Sequence, residues 1–252
     1  MSFQGKTILI TGGSRGIGRG IVDAFLADGA QIVTCGRREP DDLPEGVHFI
    51  PADVRKLDSV KELITFTLER TGRLDVLINN AGGTPIENAE QTDAVLLDKI
   101  LDLNLKAPIN ISREAYPHLK ESHGSIINIS SVSAIRPSPK TAAYGAAKAG
   151  LLSYTQSVAM EWAPEVRVNA IIVGLVKTEA SEVHYGGEKG IAHLSAALPT
   201  GRMGLPKDIA KACKFLSNPD NDYVSGACLE VHGGGEPPSF LKIAQEAHKL
   251  GS

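Results

Sequence analysis

Thr7-Ile8-Leu9-Ile10-Thr11-Gly12-Gly13-Ser14-Arg15-Gly16-Ile17-Gly18 is the segment on which the fold turns. A short β-branched run, Thr7–Thr11, passes into a glycine-rich turn, and an amphipathic segment, Gly16–Asp28, opens directly behind it. Strand, tight turn and helix in that order make the first half of a βαβ unit. Glycine permits the turn and lets a ligand come close to the backbone. The helix N-terminus then offers free N–H groups and a partial positive charge, which suits a pyrophosphate. The spacing is G-x-x-x-G-x-G, and no Gly-Lys-Ser/Thr follows, so the turn is not a P-loop. Taken alone, it also fits a plain strand-to-helix connection.

The same alternation continues along the chain. Gln31–Cys35, His48–Ala52, Val76–Asn79, Ser125–Ser130, Arg167–Val173 and Cys228–Val231 read as further strands. Several are apolar on both faces, as expected when helices cover both sides of a parallel sheet. Leu57–Thr71, Thr92–Glu121, Ala142–Trp162 and Pro206–Leu216 read as helices between them. This predicts an α/β fold: one doubly wound parallel sheet of about seven strands, helices on both faces, residues 1–252 as a single domain. Two segments break the rhythm. Thr178–Leu205 follows a strand's carboxyl end and carries Gly186, Gly187, Gly190 and Gly201, so it reads as a mobile lid over a substrate site. Residues 237–252 open with Pro237-Pro238 and predict a short tail helix, packed on the body or on a neighbouring subunit.

Composition narrows the function. The 252 residues carry 26 basic and 29 acidic side chains, a net charge of -3, which argues against nucleic acid or a membrane surface as partner. No apolar run reaches the ~18 residues of a membrane helix, and the first residues do not read as a signal peptide. Cys35, Cys213 and Cys228 are odd in number and far apart, which fits free thiols in a reducing cytoplasm. The seven histidines show no zinc spacing, His184 and His193 included, so no metal is expected.

Gly12-Gly13-Ser14-Arg15-Gly16 literally satisfies the G-x-S-x-G elbow of hydrolases, and His232-Gly233-Gly234-Gly235 mimics a lipase oxyanion segment. Their order defeats that reading: the elbow follows the first strand, and the HGGG segment lies at the far end. A dinucleotide site fits better. One built for NAD wants an acid at the end of the second strand, roughly 20 residues on. Here Cys35-Gly36-Arg37-Arg38 stands there, and Glu39 comes late. A guanidinium fork suits a 2′-phosphate, with Arg15 as a further contact. A solvated basic pair, or Glu39 bent back to the ribose, is the alternative.

Tyr144 and Lys148 are four residues apart among small helix formers, so both face one side of a helix. Ser131 lies thirteen residues before Tyr144, at the end of a strand, where such sheets bind ligands. With the glycine turn, this constellation resembles the short-chain dehydrogenase/reductase family over nearly the whole chain, in particular its 3-oxoacyl-acyl-carrier-protein reductase-like members. The matching pieces are Thr11–Gly18, Asp53, Asn79-Asn80-Ala81-Gly82, Asn104, Ser131, Tyr144, Lys148 and Thr178. The family usually has proline where Val173 precedes Gly174.

The resemblance implies a Rossmann fold and an NADP(H)-dependent enzyme interconverting a small-molecule ketone and alcohol. Gly12, Ser14, Arg15, Gly16, Ile17 and Gly18 would hold the diphosphate, and Arg37 and Arg38 the 2′-phosphate. Asp53 and Val54 would hold the adenine, with Asn79, Ala81 and Gly82 by the ribose. Gly174, Val176, Thr178, Tyr144 and Lys148 would complete the nicotinamide side. Tyr144 would exchange the proton, Ser131 hold the substrate oxygen, and Asn104 support Lys148. Moving a phenol from ~10 to ~7 takes roughly 4 kcal/mol, to which the Lys148 cation and the oxidised nicotinamide would both contribute. Thr92–Glu121 and Ala142–Trp162 would make subunit contacts, giving a homodimer or homotetramer. A non-catalytic dinucleotide sensor is the competing class, disfavoured because Ser131, Tyr144, Lys148 and Asn104 are all present.

Overall fold

The β-branched runs become strands because helices bury both of their faces. The computed structural model describes residues 2–179, 181 and 185–250, residue 242 in its backbone alone. Among these residues one sheet forms from β1 (Thr7–Thr11), β2 (Gln31–Gly36), β3 (Val47–Pro51), β4 (Val76–Asn79), β5 (Ser125–Ser131), β6 (Arg167–Val173) and β7 (Cys228–Val231). Its order is β3-β2-β1-β4-β5-β6-β7, and every neighbouring pair is parallel. The order reverses between β1 and β4, and the crevice beyond the carboxyl ends of strands at such a switch point is where open α/β sheets bind ligands. The predicted fold class is the observed one.

Side chains alternate across each strand. Ile8 and Ile10 of β1 join Ile21, Val22 and Phe25 of α1 (Gly16–Ala27) and Ile209 and Leu216 of α7 (Pro206–Ser217) on one face. Leu9 points the other way, into a second core with α2 (Leu57–Thr71), α4 (Ala107–Ser122) and α5 (Ala142–Glu161). No helix of the described residues is long and apolar enough to cross a membrane.

One expectation changes, and two segments gain detail. The helix predicted over Thr92–Glu121 is not continuous. α3 (Ala94–Leu101) passes through a π turn, Asp102–Lys106, into α4. Pro108 explains the break: it has no N–H for the carbonyl of Asn104 four residues back, and its ring would press on that carbonyl. The segment read as a glycine-rich lid carries its own helix, α6 (Gly187–Ala197), and a small core of Ile191, Leu198 and Met203 against Leu175 and Tyr185. Of that segment, residues 180 and 182–184, His184 among them, lie outside the described residues. The tail does form a helix, α8 (Ser239–Leu250), but Phe240, Leu241 and Ile243 are exposed, so the body does not cover it.

Candidate active site and dinucleotide cleft

The cleft begins where β1 and β4 end side by side. Thr11 Oγ1 accepts the backbone N–H groups of Asn80 and Ala81, each at 3.0 Å. Asn80 Nδ2 donates back to the carbonyls of Thr11 and Gly12, at 2.9 and 3.1 Å. From β2, Thr34 Oγ1 accepts the N–H of Gly13 at 2.9 Å and donates to the Ile10 carbonyl at 2.7 Å. Gly12 has φ +68°, a conformation that costs a residue with a Cβ roughly 1–2 kcal/mol. A Cβ at Gly18 would collide with the Gly12 carbonyl, so α1 can start hard against the turn only with glycine there. Such a turn fits a dinucleotide's diphosphate: the backbone is bare and the helix N-terminus faces outward. Asn80 and Thr34 were missed as site residues. Thr34 had one signal, a lone polar side chain in an apolar strand.

Other predicted residues sit as follows. Thr178 lies beside Gly16, its Cγ2 3.5 Å from where a Cβ on that glycine would stand. Arg15 stands at the N-cap of α1, with no side-chain cap of its own. Arg37 and Arg38 follow β2 into solvent, and among the described residues neither guanidinium, nor that of Arg15, has a hydrogen-bond or ion-pair partner. Asp53 stands beyond β3, but both its oxygens are gripped by Arg55, at 2.8 and 2.6 Å. That pair holds the Asp53 carboxyl below its ordinary range. An adenine amino group would share Asp53 with Arg55. The neighbouring Val54 is buried. The Asn79 side chain turns inward: its Nδ2 donates to Asn128 Oδ1 at 2.8 Å and Ser112 Oγ at 3.0 Å. It pins β4 to β5 and α4, so a ribose contact from this position falls to the backbone, with Ala81 and Gly82.

An internal anion already meets the helix N-terminus. Gly16 donates its backbone N–H to Glu179 Oε2 at 3.1 Å. A carboxylate there is favoured by the helix dipole by about 0.3–1 kcal/mol, and a diphosphate would have to displace it. Glu179→Gln is therefore expected to lower the dinucleotide Kd about two- to fivefold in a fluorescence titration. An unchanged or higher Kd would show that the carboxylate does not compete.

Ser131, Tyr144, Lys148 and Asn104 converge at the carboxyl ends of β4 and β5. Lys148 is buried; its Nζ donates to the Ile129 carbonyl at 2.8 Å and stands 5.7 Å from the Tyr144 ring centre. Asn104, fully buried in the π turn, accepts the Gly83 N–H at 3.0 Å and donates to the carbonyls of Gly83 and Ile100, each at 2.9 Å. A Cβ on Gly82 would stand 2.9 Å from Asn104 Oδ1 and 3.3 Å from Lys148 Nζ, so this backbone fits between the two. Beyond β6, buried Val173 precedes Gly174, and Val176 bridges to Gly204 at the base of the 178–205 segment.

The electrostatics of the chain alone set the starting protonation state. Burial pushes the Tyr144 phenol above its ordinary range, and the hydrogen bond from Ser131 only partly offsets it. Lys148 is buried too, and desolvation lowers its ammonium to about 8, so it is still largely cationic at neutral pH. The chain alone therefore keeps Tyr144 as a neutral phenol, which is the proton donor that carbonyl reduction needs. Lysine is cationic below its pKa. Loss of that cation should make kcat/KM for reduction fall as pH rises through about 8. A kcat/KM that stays flat to well above that value would mean Lys148 remains charged or is not needed.

Beside Ser131, a cavity of about 190 Å³ opens between the loops that follow β5, β6 and β7. Its lining includes the apolar side chains of Val132, Ile135, Leu175 and Leu198 and the charged ones of Arg136 and Glu236.

Comparison with known proteins agrees with this geometry. A family model described as enoyl-(acyl carrier protein) reductase matches residues 12–236. L-fucose dehydrogenase from Bos taurus is 36% identical over 257 residues, covering 97% of this chain and 94% of that one. Aldohexose dehydrogenase from Thermoplasma acidophilum, solved ligand-free, superposes with a TM-score of 0.87 at 31% identity, covering 92% of this chain and 94% of that one. A 3-ketoacyl-(acyl-carrier-protein) reductase from Brucella melitensis, complexed with NADH, superposes with a TM-score of 0.83 at 30% identity, covering 92% and 99%. With the glycine turn, the parallel sheet and these relatives in agreement, the chain belongs to the short-chain dehydrogenase/reductase family, oxidoreductases of CH–OH groups that use a nicotinamide dinucleotide.

Proposed function

We propose that this protein interconverts a ketone and a secondary alcohol with NADP(H), and that Ser131, Tyr144 and Lys148 carry the chemistry. The observation that supports it most is the convergence of the Tyr144 phenol with the buried Lys148 ammonium, whose Nζ stands 5.7 Å from the ring centre, at the end of the strand that carries Ser131. The bound dinucleotide supplies or takes the hydride. Gly12, Ser14, Gly16, Ile17, Gly18 and Thr178 hold its diphosphate, and Arg37, with Arg38 and Arg15 near, its 2′-phosphate. Asp53, Val54, Ala81 and Gly82 flank the adenosine, and Gly174, Val176 and Lys148 the nicotinamide riboside.

Ser131 Oγ accepts the Ser133 N–H at 3.2 Å, which orients its own proton outward. It donates to the substrate oxygen as negative charge gathers there. Tyr144 gives its phenolic proton to that oxygen in reduction and takes it back in oxidation. Asn104 props the Gly82-Gly83 backbone against Lys148. The segment 178–205 closes over the substrate as its lid. Homodimers or homotetramers form through the α3–α4 and α5 faces, a reading supported by exposed Val95, Leu97 and Met160. The reducing cytoplasm is the compartment that suits its free cysteines.

The test is a panel of ketones and alcohols assayed by NADPH oxidation and NADP reduction, beside dinucleotide binding by titration. Binding with turnover supports the enzyme. Binding with no turnover of any ketone or alcohol would favour the dinucleotide sensor instead.

A further inference from the structure

We propose that the cavity beside Ser131 selects a small, neutral, polyhydroxylated substrate such as a cyclic aldose or cyclitol, with Glu236 and Arg136 as its specificity residues. This rests on the oxidoreductase reading above and adds the substrate class.

The cavity's lining is of two kinds. Val132 and Ile135, directly after Ser131, and Leu175 and Leu198 are apolar. Two charged residues line it as well, and Arg136 Nη2 bonds both oxygens of Glu236 at 2.7 Å. Arg136 Nη1 donates to the Pro137 carbonyl at 3.1 Å. The two residues are 100 apart in sequence, and both side chains stay partly exposed, at 40% and 35%. Neither is therefore exhausted. A carboxylate has about four acceptor sites and a guanidinium five N–H donors, so each keeps capacity for a ligand. His232 and Gly235, from the segment that mimicked an oxyanion motif, line it as well. Glu230 accepts from His232 Nε2, which fixes the imidazole in place.

Chemistry then sorts the candidate substrates. Glu236 cancels the charge of Arg136, so an anionic substrate gains no net attraction. An acyl chain would lay methylene groups against an ion pair and strip its water, which costs free energy without new hydrogen bonds. The volume, about 190 Å³, is below the roughly 300 Å³ at which drug-sized sites begin. A hydroxylated ring satisfies both kinds of lining: its C–H groups pack on the aliphatic residues, and adjacent hydroxyls donate to Glu236 and accept from Arg136. Tyr185 lies close enough to feel the Glu236 charge.

The experiment compares an aldopyranose and a cyclitol with cyclohexanol, in wild type, Glu236→Gln and Glu236→Asp, with dinucleotide Kd measured in each. The wild type should use at least one hydroxylated compound with kcat/KM tenfold or more above cyclohexanol. Glu236→Gln should raise KM for that compound about tenfold, with kcat within twofold. Cyclohexanol kinetics and dinucleotide Kd should not change, and Glu236→Asp should recover part of the loss. Cyclohexanol used as well as the hydroxylated compounds would overturn the proposal and leave the oxidoreductase reading standing. So would equal losses on both substrate types in Glu236→Gln, which mean a structural role for the pair. Turnover of another ketone or alcohol of the panel but of none of these three compounds would likewise overturn the proposal alone, whereas dinucleotide binding with no turnover anywhere in the panel would overturn the enzyme reading, and this proposal with it.

Discussion

Tyr144→Phe is expected to lower kcat on any accepted carbonyl substrate by about 10²–10⁴-fold, while the dinucleotide Kd stays within about twofold. The phenylalanine ring fills the same space but carries no proton. That loss is equivalent to about 3–5 kcal/mol of barrier. The structure makes the prediction directional. Burial holds the Tyr144 phenol above its ordinary range, so it is fully protonated at neutral pH. Reduction starts with its acid in place. Oxidation must first take the proton off, and the Lys148 cation, lowered to about 8, helps there while it stays charged. The wild-type optimum for oxidation should therefore lie at higher pH than the optimum for reduction. Steady-state kinetics in both directions, with binding measured separately, checks this. Wild-type kcat in the phenylalanine variant would remove Tyr144 from the mechanism, whatever the substrate.

Arg37→Ala is expected to raise KM for NADPH by about 10–100-fold and to leave KM for NADH nearly unchanged. A hydrogen bond to a charged group contributes about 1.5–3 kcal/mol, which sets that range. The argument begins at the end of β2, where no acid stands to hold a ribose 2′-hydroxyl. It is strengthened by the free guanidinium of Arg37, which no carboxylate in the described residues neutralises. Arg55 is different: Asp53 consumes its fork. Because Arg37 is exposed, the preference should shrink as salt rises through the range where the screening length falls below about 10 Å. Glu39 carries the opposite outcome, since a carboxylate reaching the ribose would repel a 2′-phosphate. Measured kcat/KM for both cofactors, in wild type and variant, decides between them. Equal use of the two cofactors, or an unchanged ratio in the variant, would show that the site does not read the phosphate through Arg37.

What the sequence by itself determined is local in origin. Period-two and period-3.6 patterns follow from the geometry of single strands and helices, so strand–helix alternation and the fold class could be read from them. The glycine turn was legible because a backbone at positive φ tolerates few residues besides glycine. Tyr144 and Lys148 were legible because i,i+4 spacing puts them on one helix face, and Ser131 because strand ends carry sites. The tertiary structure decided whatever depends on partners far apart in the chain. It broke the helix before Pro108 and so placed Asn104 beneath Gly83. It turned Asn79 inward to Asn128 and gave the glycine turn to Asn80 and Thr34. It brought Glu179 to Gly16 across 163 residues, and Arg136 to Glu236 across 100. No periodicity encodes such pairs. They exist because a parallel sheet carries every strand's carboxyl end to one edge, and the loops that meet there are set by strand order, which the local pattern does not specify.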